Sequence, residues 1–481
     1  MKGDGFLTNI RKGFPEEFLW GASSSAWQVE GGINEGGRSE SIIDINSRRK
    51  KPFKDNSVTS DFYHKYEEDI ELMRKAGFKS YRFSLAWPRI YPDDSGIPNQ
   101  EGINFYNKVV NKLIEAGITP IVTLYHYDMP VWVDEKYDGW YGRGIIDEFE
   151  KYAITCFKEF GDRVKYWLAI NEQNMQIVYG DWLGVCKNPD TWFEDKWKVN
   201  HIMNLCHAKA VNACHEYVDG GKIGPVPGYV PLYPKSSHPM DQIAVLNAEE
   251  LTQKVWNDAN FYGEYSNYIK EYWKKNNINP DIKDGDLEIM RSVKIEFIGL
   301  NCYRSQVARW PKSEEVDTDI KLNATGVKGN FVFPVYKDLY ALDYNEFTPK
   351  TDWDWEIDPV SMRYSIRYLW NLYHLPIIIT EVGFSAHEDL SDDGKVHDDY
   401  RIDFLRDVIL NVQAAIKDGA EVFGFNPWSF TDLLSTGNGM AKRYGLVFIN
   451  TTDKEDRDLK RIPKDSYFWY KEIISTNGSN L

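Results

Sequence analysis

The chain predicts an α/β fold, a single (β/α)₈ barrel, and three observations carry that expectation. Eight short apolar runs recur along the 481 residues. Amphipathic stretches with helical spacing separate them, the alternation expected of a parallel sheet. Polar or aromatic residues stand at the C-terminal ends of the runs, where barrel enzymes keep their chemistry. A doubly wound open sheet is the structural alternative. No G-x-G-x-x-G motif follows an early strand, so its usual functional companion is missing.

The expected strands are 18–24, 80–87, 119–125, 164–170, 223–229, 297–303, 377–380 and 422–428. Between them, residues 58–76 place Phe62, Tyr66, Ile70 and Met73 on one helical face. Residues 104–115 form a second helical pattern, stopped by Gly117. No low-complexity block or Pro/Ser-rich linker divides the chain. Residues 1–481 are therefore expected to form one catalytic domain, with residues 1–13 a short N-terminal extension. Barrels with insertions reach this length as one unit.

Composition removes several classes of function. A formal net charge of −16 repels nucleic acid and anionic membranes on average, while leaving room for a local basic cluster. Cys156, Cys186, Cys206, Cys214 and Cys302 are odd in number and widely spaced, which argues against a disulfide framework. The first 14 residues are polar and basic and do not read as a signal peptide or a membrane span. A reducing cytoplasm is the expected compartment. The pairs Cys206-His207 and Cys214-His215 fit no zinc spacing and lie in a helical pattern. The 389–400 segment lacks the Glu of a calcium loop, since Tyr400 stands there. Asn323, Asn450 and Asn477 open glycosylation sequons, which matter only in a secreted protein.

Gln28 follows the first run, Arg82 sits within the second, and His126 ends the third. Asn171 and Glu172 end the fourth; Asn301 and Tyr303 end the sixth. Glu381 ends the seventh and Trp428 the eighth. A core strand does not normally finish on a carboxylate, because burying a lone charge is costly. Two such carboxylates at one barrel mouth are suited to acetal hydrolysis. One delivers a proton to the leaving oxygen, and the other supplies negative charge or a nucleophile at the anomeric carbon. A separation of about 5–5.5 Å gives retention and roughly 6.5–9.5 Å gives inversion; the sequence does not fix which. The acid needs a raised pKa, and the apolar run Trp-Leu-Ala-Ile-Asn-Glu ending at Glu172 suits that. The nucleophile must stay ionised, which a cation such as Arg82 would favour. This chemistry needs no metal or organic cofactor, and no cofactor motif is present.

Around these residues the chain resembles glycoside hydrolase family 1, from about Phe14 to the C-terminus. The resemblance runs through Phe18-Leu-Trp-Gly-Ala, Tyr81-Arg-Phe-Ser-Leu-Ala-Trp-Pro-Arg, Leu124-Tyr-His-Tyr-Asp, Asn171-Glu172, Gly299-Leu-Asn-Cys-Tyr, Thr380-Glu381-Val-Gly and Trp428-Ser-Phe-Thr-Asp. It implies a retaining mechanism, with Glu172 as acid/base and Glu381 as nucleophile. It implies that Gln28, His126, Asn171 and Trp428 hold the sugar. Asn301, Tyr303 and Arg82 would neighbour the nucleophile, and Trp355 would be a platform for the aglycone. Three positions depart from the family pattern: Gln173 for Pro, Val382 for Asn and Tyr127 for Trp.

After the eighth run, Ser435 stands where family β-glucosidases carry a Glu that binds sugar hydroxyls. Lys442 and Tyr444 follow at the spacing of the 6-phospho-β-glycosidases. A carboxylate would repel a phosphate at C6; a serine removes that repulsion and adds a donor. Lys442 offers a point charge and Tyr444 a directional O–H. Gly437 and Gly439 are expected to let the backbone approach an anion. The resemblance is nearest to bacterial aryl 6-phospho-β-glucosidases, and the small Thr436 leans towards 6-phosphoglucose. The expected partner is a small phosphorylated β-glycoside. The rival readings are a glycosidase for unphosphorylated sugars, a 6-phospho-β-galactosidase, and a non-catalytic sugar-phosphate sensor.

Overall fold

The computed structural model describes residues 13–49, 53–455 and 457–481. The expected N-terminal extension lies outside the described residues, apart from Gly13.

All eight apolar runs become parallel strands. They are β1 (Leu19–Ser23), β2 (Ser80–Ser84), β3 (Thr119–Tyr125), β4 (Tyr166–Asn171), β5 (Lys222–Val226), β6 (Ile298–Asn301), β7 (Ile377–Glu381) and β8 (Val422–Phe425). Their spatial order is β5-β4-β3-β2-β1-β8-β7-β6. The ring closes between β5 and β6 just past the end of β5. There Gly228 pairs with Asn301, and the Tyr229 N–H donates to the Asn301 carbonyl at 2.8 Å. A closed parallel barrel covered by helices leaves no sheet edge, which is why the runs are apolar on both faces.

Side chains fill the barrel floor. Ile121, Leu168, Val226, Phe297 and Ile378 are buried together, with Leu19, Tyr166 and Phe423 against them. Tyr166 stacks on Phe423 at 5.9 Å, and Phe297 meets both rings edge-on. The floor is therefore dry and rigid, and the polar chemistry is confined to the other end.

Register shifts interrupt three ladders. One lies at the start of β7, between Ile377 and Ile378 where it meets β8. Of the other two, one lies between Leu168 and Asn171 where β4 meets β5, and the other between Ile379 and Glu381 where β7 meets β6. Bulges of this kind re-aim side chains at barrel rims. Here the latter two fall at the ends of the two strands that carry the glutamates.

Helix ends differ modestly from expectation, for local reasons. The expected 58–76 helix is Phe62–Ala76, because Thr59 and Asp61 adopt left-handed φ of 50° and 56°. The second helix starts early, at Gln100, because the Asn99 side chain caps it by accepting from the Glu101 N–H at 3.2 Å. The apolar-run reading missed a four-stranded sheet built from Leu232–Pro234, Gln306–Arg309, Val335–Tyr336 and Tyr340–Asp343. It grows from the excursions after β5 and β6. Its strands are too short to give a periodic signal. Among the described residues no helix is long and apolar enough to cross a membrane.

Candidate active site

Glu172 sits one residue past β4, at φ 42° and ψ 54°. This left-handed conformation is costly for a residue with a Cβ, and it turns the carboxyl into the barrel mouth. The Glu172 N–H is anchored on the Val226 carbonyl at 2.8 Å. Tyr127 Oη donates to Oε2 at 2.7 Å, and Asn301 Nδ2 donates to Oε1 at 3.0 Å. Gly228 leaves the room this needs, since a Cβ there would come within 2.9 Å of Glu172 Oε1. Burial and the nearby Glu381 charge push the Glu172 carboxyl up to about 7. Such a group keeps its proton near neutral pH and can give it away.

Glu381 ends β7 on the facing wall. Arg82 Nη1 donates to its Oε1, and Tyr303 Oη donates to its Oε2 at 2.7 Å. Arg82 is wholly buried and spends its other donors on Thr123 and Asn171. Burial raises the Glu381 pKa, and Arg82, Tyr303 and Asn301 pull against that rise. Only one of the two glutamates touches a guanidinium: Arg82 ion-pairs with Glu381 and not with Glu172. A proton shared between the two therefore resides on Glu172. The Asn301 amide donates to Glu172 Oε1 at 3.0 Å and to Asn171 Oδ1 at 3.2 Å, and Thr380 Oγ1 fixes it by donating to Asn301 Oδ1 at 2.7 Å.

A ring of polar and aromatic groups surrounds the pair and lines a cavity of about 180 Å³. Gln28 is held between Ser25, which donates to its Oε1 at 2.7 Å, and the Leu434 carbonyl at 2.8 Å. Asn171 Nδ2 reaches His126 Nε2 at 3.2 Å. Burial, and then the Arg82 charge, keep His126 neutral by holding its pKa well below the usual imidazole value. The His126 ring stacks on Trp428 at 5.8 Å.

Ser435, Lys442 and Tyr444 meet on the same cavity. The Tyr444 hydroxyl lies close enough to the Ser385 and Ser435 hydroxyls for them to temper the rise that burial gives its pKa. Lys442 is 2% exposed, and among the described residues no carboxylate lies within 4 Å of it. Its ammonium instead stands 3.8 Å above the Trp355 ring. Burial, reinforced by Arg304, pulls the Lys442 pKa well below its usual value. The two loop glycines are required by packing as well. A Cβ on Gly437 would strike the Trp182 ring at 1.9 Å, and one on Gly439 would strike Asp453 at 2.2 Å. Both are packing positions, and Asp453 is needed nearby to accept from the Met440 and Ala441 N–H groups.

All thirteen expected site residues thus face one space or hold a residue that does. Two departures from the family pattern have quiet structural roles. Gln173 is buried and donates to Asn200 and Asn204, and the Val382 carbonyl accepts the Trp428 N–H at 2.8 Å. Tyr127 and Arg304 escaped the sequence reading as site residues. Tyr127 was visible only as a substitution for Trp, and Arg304 follows Tyr303 with no pattern to mark it. Among the described residues no three His, Cys, Asp or Glu groups gather to hold a metal.

A closed parallel barrel with two glutamates at its mouth is the frame of a glycosidase, and the chain belongs to Glycosyl hydrolase family 1, whose pattern matches residues 10–479. It is 39% identical over 472 residues to an aryl-phospho-β-D-glucosidase of Bacillus subtilis, covering 97% of this chain and 98% of that protein. It is 36% identical to a 6-phospho-β-glucosidase of Clostridium longisporum, covering 97% and 98%. Among solved structures it is similar to the Thermotoga maritima β-glucosidase in complex with deoxynojirimycin. That match has a TM-score of 0.84 and 32% identity, over 97% of this chain and 99% of the other.

Proposed function

We propose that the protein is a retaining 6-phospho-β-glucosidase in which the whole chain acts as one catalytic unit. Glu381 attacks the anomeric carbon while Glu172 protonates the leaving oxygen. Glu172, now a carboxylate, then takes a proton from water as that water releases the sugar from Glu381. Asn301, bonded to Glu172 and near enough to Glu381 to lower its pKa, supports a retaining arrangement in which the two carboxyls flank one sugar. Gln28, Asn171 and His126 present donors and acceptors to the sugar hydroxyls, and Trp428 offers its face.

The observation that carries the phosphate specificity is Lys442. A buried ammonium with no counter-ion, beside the Ser435 and Tyr444 hydroxyls, is a site waiting for an anion. A phosphate would restore the lysine's charge and satisfy both hydroxyls. The similarity to enzymes named for phosphoglucosides points the same way. A phosphorylated sugar substrate and five unpaired cysteines support a cytoplasmic setting.

The test compares hydrolysis of p-nitrophenyl β-glucoside with its 6-phosphate. The phosphate is expected to be favoured by about two orders of magnitude or more in kcat/KM, as for a desolvated ion pair worth about 3 kcal/mol. Ser435→Glu should abolish that preference. An equal or greater rate on the plain glucoside would instead make this chain a β-glucosidase, the activity named for its Thermotoga structural neighbour.

A further inference from the structure

The mechanism above leaves one buried cation unused. Arg304 lines the same cavity and is 5% exposed. Its Nη2 donates to Tyr179 Oη at 3.3 Å, while its Nη1 is buried with no partner. Its guanidinium lies 4.9 Å from the Phe331 ring and 5.6 Å from the Trp355 ring. Among the described residues no carboxylate makes an ion pair with it. Glu356 is the acid that feels its charge, yet both Glu356 oxygens are also without hydrogen-bond partners. A buried guanidinium nitrogen left without an acceptor is costly, and the residue that carries it borders the cavity.

Its position says which part of a substrate it meets. Tyr179, its hydrogen-bond partner, feels the Glu172 charge. Glu172 is the proton donor, so the leaving group lies on its side. Lys442 stands on the same Trp355 ring and is repelled by Arg304. Two cations that repel each other across one cavity leave room for a second anion beside the one on Lys442.

We propose that Arg304 reads the leaving group, and that this chain prefers glycosides whose aromatic aglycone carries a carboxylate. The ring would lie against Trp355, and the carboxylate would take the guanidinium where Arg304 borders the cavity, a charge-assisted contact that a guanidinium makes well. The proposal rests on Glu172 being the acid.

The test is the ratio of kcat/KM for 4-carboxyphenyl over 4-carbamoylphenyl β-glucoside 6-phosphate, measured within each variant so that folded fraction cancels. The wild type should favour the carboxylate about tenfold, Arg304→Gln should bring the ratio near one, and Arg304→Lys should keep part of it. A wild-type ratio near one, or a ratio untouched by Arg304→Gln, overturns the proposal. So does an Arg304→Gln variant that loses its preference for phosphorylated over plain sugar while keeping the carboxylate ratio, because the guanidinium then belongs to the phosphate. If the wild type hydrolyses only plain glucosides, the phosphate reading fails separately, and the same ratio is read on the unphosphorylated pair.

Discussion

At the scale of the residue, burial acts on two glutamates and a single arginine separates them. Glu172 is raised to about 7 by burial and by Glu381; Glu381 has Arg82 against it. The acid must be protonated to act, so kcat/KM should fall on the alkaline side with an apparent pKa near 7, read from a pH–rate profile. A limb above about 9 would contradict the assignment. The same shift bears on stability. Below pH 4.5 the group is protonated in both folded and unfolded chains, and no cost arises. As pH rises from 4.5 to about 7, only the unfolded chain releases the proton, so the folded state loses ground. Glu172→Gln removes that loss and should stabilise the protein by about 3 kcal/mol at pH 8 and by nearly nothing at pH 4, seen in denaturant titrations. Both glutamates were legible in the sequence because a charged residue ending an apolar strand is rare. Tyr127 was not, because its hydroxyl matters only once β3 and β4 lie side by side and place it on Glu172.

At the scale of the element, the loop after β8 is a rigid phosphate candidate because ions clamp it from behind. Asp432 accepts from Arg443 Nη1 and Lys464 Nζ, both at 2.8 Å, and from the Gly445 N–H at 3.0 Å. Arg443 also donates to the Ile449 and Thr451 carbonyls. Arg443 lies between Lys442 and Tyr444 in the chain, so fixing it fixes the two side chains that face the cavity. Arg443→Met should destabilise the protein by about 3 kcal/mol, since Lys464 still neutralises part of Asp432. It should also raise KM for the phosphorylated substrate more than KM for the plain one; equal changes would show that the clamp does not position the reader. The Ser435, Lys442 and Tyr444 spacing was readable in the chain, but this clamp was not. Arg443 and Lys464 are 21 positions apart in sequence, and both look like ordinary surface charges there. The packing of the two glycines on Trp182 and Asp453 was hidden for a similar reason, since both partners are distant or unmarked in the chain.

At the scale of the molecule, a dry floor and a wet mouth share one barrel. The eight strands were legible because buried parallel strands read as apolar runs. The four-stranded sheet was hidden, since its short strands find their order only through pairing across the excursions after β5 and β6. The C-terminal helix Asp465–Ser475 ties the barrel shut, with Tyr470 Oη reaching the Gly21 and Phe425 carbonyls at 3.0 and 3.2 Å. Leu168 stands in the floor, within the strand that ends at Asn171. Leu168→Ala should cost about 2–5 kcal/mol in urea titration while leaving the preference between phosphorylated and plain substrate intact. A changed preference would mean that floor and mouth are not independent.

The most direct test of the central claim is covalent trapping. The protein is incubated with 2-deoxy-2-fluoro-β-glucosyl fluoride 6-phosphate, digested, and its peptides weighed. The adduct should appear on the peptide containing Glu381, should be absent in Glu381→Gln, and should form far more slowly with the unphosphorylated reagent. An adduct on another residue, or none while the enzyme turns over substrate, would contradict the double displacement at Glu381.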